Sequence, residues 1–142
     1  MKRIILITGS NRGLGKATGL KLCEYGHEVI FTSRNLNNLK AVEQEVQAKK
    51  YNASFFELDV CNLDSIINLK KEIQKKYDHI DTLINNAGIL NDRNDSILNL
   101  DHQLLHQTMN TNLFNPLYMI QQFQGLIKKS SNGVIVNISS IL

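Results

Sequence analysis

Leu6-Ile7-Thr8-Gly9-Ser10-Asn11-Arg12-Gly13-Leu14-Gly15 is the stretch from which the fold is read. Arg3–Thr8 is an apolar run that predicts a buried strand, and Leu14–Tyr25 has helical period with Gly26 as its stop. The glycines, spaced G-x-x-x-G-x-G, therefore lie on a strand-to-helix turn. Glycine there permits positive φ and lets a ligand's pyrophosphate approach the backbone. Free N–H groups and the dipole at a helix N-terminus favour that anion. No Gly-Lys-Ser/Thr follows, so this is not a nucleoside-triphosphate P-loop. The reading is a dinucleotide site with Thr8, Gly9, Ser10, Asn11, Arg12, Gly13, Leu14 and Gly15 as candidate contacts. A tight turn without ligand is the alternative.

Outward from this turn, short apolar runs alternate with helical segments. Glu28–Ser33, Ala53–Leu58, Asp81–Asn85 and Gly133–Ser139 predict four further strands. Leu36, Leu39, Val42 and Val46 recur at helical spacing, as do Ile66, Leu69, Ile73 and Tyr77, and a long helical stretch covers Asp101 to Lys129. Such alternation predicts an α/β, doubly wound parallel sheet of the Rossmann type, with helices on both faces and strand order 3-2-1-4-5. Residues 1–142 form a single domain on this reading.

Composition narrows the classes. The apolar fraction of 42% suffices for a packed core, and the net charge of +3 is mild. The lysine pairs 49–50, 70–71, 75–76 and 128–129 fall near predicted helix ends, where cations complement the dipole, so no nucleic-acid surface is expected. Cys23 and Cys61 lack metal-ligand spacing and read as reduced, partly buried thiols; no metal site is predicted. The apolar run after Lys2-Arg3 is too short for a signal peptide, and no stretch reaches membrane-span length. A soluble cytoplasmic protein with no membrane partner is expected.

Two positions sharpen the ligand and the geometry. A carboxylate roughly 20 residues beyond the glycines would bind the ribose 2′-OH of NAD. Here the second strand ends Thr32-Ser33-Arg34-Asn35, with no acid before Glu43, and Arg12 lies in the glycine turn. Two guanidiniums favour a 2′-phosphate through charge-assisted hydrogen bonds, so NADP is expected over NAD. The alternative is that Arg34 is merely a solvated strand-end residue. Pro116 lies four residues after Asn112 within a helical pattern. Proline has no N–H, so a kink is expected that leaves the Asn112 carbonyl available to water. Two helices with a plain break are the competing view.

Four islands, in order, resemble the short-chain dehydrogenase/reductase family: the glycine turn, Asn85-Asn86-Ala87-Gly88, Thr111-Asn112-Leu113, and Val134-Ile135-Val136-Asn137-Ile138-Ser139-Ser140. The resemblance covers essentially the whole chain and corresponds to the cofactor-binding half of a family member, nearest the NADP-dependent carbonyl-reductase-like branch. It implies that Asp59 hydrogen-bonds adenine, with Val60 beside it, and that Asn86, Ala87 and Gly88 line the cofactor ribose. It implies that the Asn112 carbonyl holds a water and that Ser140 orients the substrate carbonyl, with Ser139 the runner-up. The family often has Gly where this chain has Asn115.

The same resemblance implies hydride transfer between nicotinamide and a small carbonyl or alcohol substrate. The family's Y-x-x-x-K is missing: Tyr25, Tyr51, Tyr77 and Tyr118 are followed four positions later by Val29, Phe55, Asp81 and Gln122. Losing a positioned general acid costs about 10²–10⁴-fold. Residues 1–142 alone are therefore expected to be inactive, and the chain is expected to be a partial sequence, a truncated product or one half of a split enzyme. The fifth strand would then be an exposed apolar edge. A homo-oligomer through the helix carrying Asn112, or a complementing C-terminal half, is the implied partner. The rival from another class is a non-catalytic dinucleotide-binding or regulatory fragment.

Overall fold

The computed structural model describes residues 1–90, 96 and 98–139. Five strands, β1 (Ile4–Ile7), β2 (Glu28–Ser33), β3 (Ala53–Glu57), β4 (Thr82–Asn85) and β5 (Val134–Asn137), form one sheet in the order β3-β2-β1-β4-β5. Every pairing is parallel. Helices α1 (Gly13–Glu24), α2 (Lys40–Ala48), α3 (Leu63–Lys76), α4 (His102–Met109) and α5 (Asn115–Ile127) make the crossovers. The sheet order is the one that the α/β alternation predicts, and the strand bounds differ from it by no more than two residues.

The central strand β1 is apolar at every position because both faces of the sheet are covered. Leu6, Ile30 and Leu83 pack under α3 and α5 with Ile66, Leu69, Met119 and Phe123. Ile5, Ile7, Val29 and Phe31 pack on the other face with Cys23, Leu39, Val42 and Val46. A Cβ at Gly19 would run into the Phe31 ring, so this glycine lets α1 lie close on β2.

Helix ends follow local chemistry. Gly26, at φ +85°, stops α1: its N–H donates to the Cys23 carbonyl and that of His27 to the Leu22 carbonyl. The same pair of bonds ends α2, but there Lys50 takes the left-handed position at φ +55°. Asn62 caps α3 by accepting from the N–H groups of Asp64 and Ser65.

Three expectations need correction. Leu36–Leu39 is a separate 3-10 turn before α2, set by Asn35 Oδ1 accepting the Asn37 N–H at 2.8 Å, and Leu36 is exposed rather than core. Lys70-Lys71 lie within α3, not at its end. Cys61 is exposed, although Cys23 is buried as the apolar pattern requires, and burial pushes the Cys23 thiol up to about 11.

At the N-terminal rim of the sheet, side chains tie elements together. Glu28 accepts from the Tyr77 hydroxyl at 2.6 Å and pairs with Lys2 at 2.9 Å. Asp81 accepts from the Ile4 N–H at 2.8 Å and the Ser130 hydroxyl at 2.5 Å. Among the described residues no helix is long and apolar enough to cross a membrane.

Candidate functional site

At the opposite rim, the turn after β1 carries three glycines for three different reasons. Gly9 has φ +64°, and a Cβ there would lie 3.0 Å from Ala87 Cα. Gly13 has φ +55° and faces open space, with nothing within 4 Å of where its Cβ would be. Gly15 is buried, and its Cβ would lie 2.6 Å from the Gly9 carbonyl oxygen. Arg12 precedes α1 in extended conformation and offers no side-chain cap, and the first turn of α1 holds no acid. The first turn of α1 thus places no acidic side chain of its own at the amide end. Asn11 is half-buried; Arg12, Gly13 and Leu14 are exposed.

Thr8 and Ser10 hold this turn from beneath. Thr8 Oγ1 accepts from the N–H groups of Asn86 and Ala87, each at 3.0 Å, and Asn86 Nδ2 donates back to the carbonyls of Thr8 and Gly9. Ser10 Oγ accepts the Thr32 N–H at 2.8 Å, and Ser10 is fully buried. Both side chains, read from sequence as candidate contacts, are buried and hydrogen-bonded within the protein.

Arg34 is exposed immediately beyond β2, on the same rim as Arg12. Asp59 shapes the turn after β3: its Oδ1 accepts the Cys61 N–H at 2.9 Å and its own N–H donates to Ser65 Oγ. Val60 is buried and lines a small pocket with Thr8, Asn85, Ala87, Thr111 and Asn115.

The helical stretch from Asp101 is divided rather than continuous. Asn110–Phe114 forms a π-turn between α4 and α5, with the Asn115 N–H donating five residues back to the Asn110 carbonyl. Pro116 sits in the first turn of α5, so the distortion falls where the missing N–H requires one. The side chain of Asn112 does something the sequence did not reveal. Its Oδ1 accepts the Ile89 N–H at 2.9 Å and its Nδ2 donates to the Ile89 carbonyl at 2.8 Å. This clamp fixes the chain leaving β4, and a Cβ at Gly88 would lie 3.3 Å from Asn112 Oδ1. Asn85 Nδ2 donates to Asn137 Oδ1 at 2.8 Å, tying β4 to β5. Ser139 is exposed just beyond β5, whereas Ser140 lies outside the described residues.

Glycine turn, β4 end and π-turn thus converge on one rim of the sheet. A profile for short chain dehydrogenases matches residues 3–142. The chain belongs to that family. Carbonyl reductase (NADPH) 1 of Macaca fascicularis is 36% identical over 141 residues, which are 99% of this chain and 50% of that protein. The 3-oxoacyl-acyl-carrier-protein reductase FabG of Buchnera aphidicola is 37% identical over 142 residues, 99% of this chain and 56% of that protein. This short chain dehydrogenase chain therefore spans about half the length of the curated relatives it matches. Among solved structures, a gluconate 5-dehydrogenase from Burkholderia cenocepacia, in complex with NADP and tartrate, superposes with a TM-score of 0.89 at 26% identity, covering 99% of this chain and 55% of that one. A metagenomic short-chain oxidoreductase in complex with NADP gives 0.90 at 27% identity, covering 99% of this chain and 63% of that one.

Proposed function

We propose that this chain binds NADP(H) and forms the cofactor half of an oxidoreductase that moves hydride between nicotinamide and a small carbonyl or alcohol substrate. The observation that carries the reading is the start of α1: Gly13 in left-handed conformation facing open space, on a helix end with no protein anion in its first turn. That is a cradle for a pyrophosphate. The NADP-bound structural relatives and the NADPH-named carbonyl reductase support the choice of dinucleotide.

In this reading the backbone from Gly9 to Gly15 binds the pyrophosphate, shaped from below by Thr8 and Ser10. Arg12 and Arg34 hold the 2′-phosphate. Asp59 and Val60 meet the adenine, and Asn86, Ala87 and Gly88 line the ribose. Bound nicotinamide supplies or accepts the hydride. Ser140, with Ser139 beside it, holds the substrate carbonyl, and the Asn112 carbonyl holds a water for proton exchange.

Titration of the protein with NADPH and NADH, followed by nicotinamide fluorescence, tests this. NADPH should bind more tightly. Arg34→Ala should weaken NADPH by about tenfold, the loss of one charge-assisted hydrogen bond at a partly solvated site, and leave NADH unchanged. Unchanged NADPH affinity in that variant would sink the 2′-phosphate assignment. Binding without turnover of any carbonyl substrate would identify the polypeptide as a dinucleotide-binding module.

A further inference from the structure

Two segments of the candidate site, the turn after β3 and the π-turn, meet through three polar side chains. Asn115 and Thr111 are buried, at 4% and 7% exposure, on the helix side of the joint. Asn115 Nδ2 donates to Cys61 Sγ at 3.2 Å, and Cys61 Sγ lies 3.3 Å from Thr111 Oγ1. Cys61 also closes the Asp59 turn through its backbone N–H. Thr111 and Asn115 bracket Asn112, whose amide clamps Ile89. A buried amide needs a partner, and Cys61 Sγ is the one Asn115 Nδ2 finds.

We propose that Asn115 is a positioning residue for this site: its bond to Cys61, shared with Thr111, locks the π-turn against the turn carrying Asp59 and Val60. Asn112 and the Ile89 segment are thereby held in register with the adenine side. The inference rests on the dinucleotide reading only for its ligand-binding consequence; the lock itself is a property of the apo protein.

Hydrogen exchange and NADPH titration of Asn115→Ala, Cys61→Ala, the double variant and Cys61→Ser test it. In apo protein, the first two should speed exchange at Ile89 and at residues 110–114 while leaving Ile5–Ile7 protected as in wild type. Each should weaken NADPH about 3- to 10-fold, the worth of one net hydrogen bond, and the double variant should lose no more than either single one. Cys61→Ser can still accept from Asn115 and donate to Thr111, so it should restore affinity to within about twofold of wild type. Unchanged exchange at Ile89 and 110–114 would overturn the proposal. So would faster exchange that extends equally to Ile5–Ile7, or additive losses in the double variant. Wild-type protein that binds no NADPH would defeat the proposed function, while the exchange data would still decide the lock.

Discussion

Gly9 and Gly13 share a left-handed conformation but not a reason for being glycine, and alanine separates the two. At Gly13 a methyl meets nothing within 4 Å, so Gly13→Ala should cost only the backbone strain, about 1 kcal/mol. At Gly9 the same strain is joined by a Cβ at 3.0 Å from Ala87 Cα. Gly9→Ala should therefore cost more, about 2 kcal/mol or above, and displace the end of β4. Urea unfolding of both variants checks the order, and equal losses would contradict it. Both should weaken NADPH, Gly13→Ala despite its smaller stability cost.

Among the elements, α1 and α2 end in the same pair of hydrogen bonds with different residues in the left-handed position. Gly26 suits it and Lys50 does not. Lys50→Gly should stabilise the protein by about 1 kcal/mol, read as a raised urea midpoint at constant slope. The N-terminal rim makes a prediction about pH. Burial of Glu28 opposes its charge, but the Tyr77 hydroxyl and Lys2 outweigh it and hold the carboxyl below its ordinary range. Asp81 behaves alike: burial opposes the charge, and the Ser130 hydroxyl and Ile4 N–H prevail. A carboxylate whose folded pKa is depressed stabilises the fold fully above its unfolded value near 4, and loses that contribution as pH falls through the folded value. Thermal melts should hold level for these two groups from pH 7 to about 5 and fall below that towards about pH 2, and Glu28→Gln with Asp81→Asn should flatten the fall. A curve unaltered by both substitutions would show that other groups govern it.

Taken whole, the molecule exposes apolar side chains along its last elements. Val134 and Ile135 of β5 are 40% and 39% exposed, and Leu105, Met109, Leu113 and Leu117 stand out along α4, the π-turn and α5. With the outer edge of β5 unpaired among the described residues, a polypeptide of residues 1–142 alone should associate as its concentration rises. Light scattering behind size exclusion should show a mass that grows with loading and falls towards one chain in Ile135→Lys. A concentration-independent single-chain mass in the unsubstituted protein would refute this.

Strand positions and the glycine turn were legible in the sequence because their causes are local: apolar runs, helical period, residues that take positive φ. Sheet order followed from the right-handed crossovers that α/β alternation imposes. Pro116 likewise marked a distortion near Asn112, since a missing N–H acts on its own turn. Other features joined residues far apart in the chain. Thr8 meets Asn86 and Ala87, Asn112 meets Ile89, and Cys61 meets Thr111 and Asn115 only when the crossovers bring their segments to one rim. No periodicity records such pairs, so Cys61 read as a reduced, partly buried thiol and Ile89 as nothing at all. The amino-acid sequence by itself determined the strands, their order and the glycine turn. Tertiary structure decided which polar side chains build the site and which merely border it, because a hydrogen bond depends on distance in space and not along the chain.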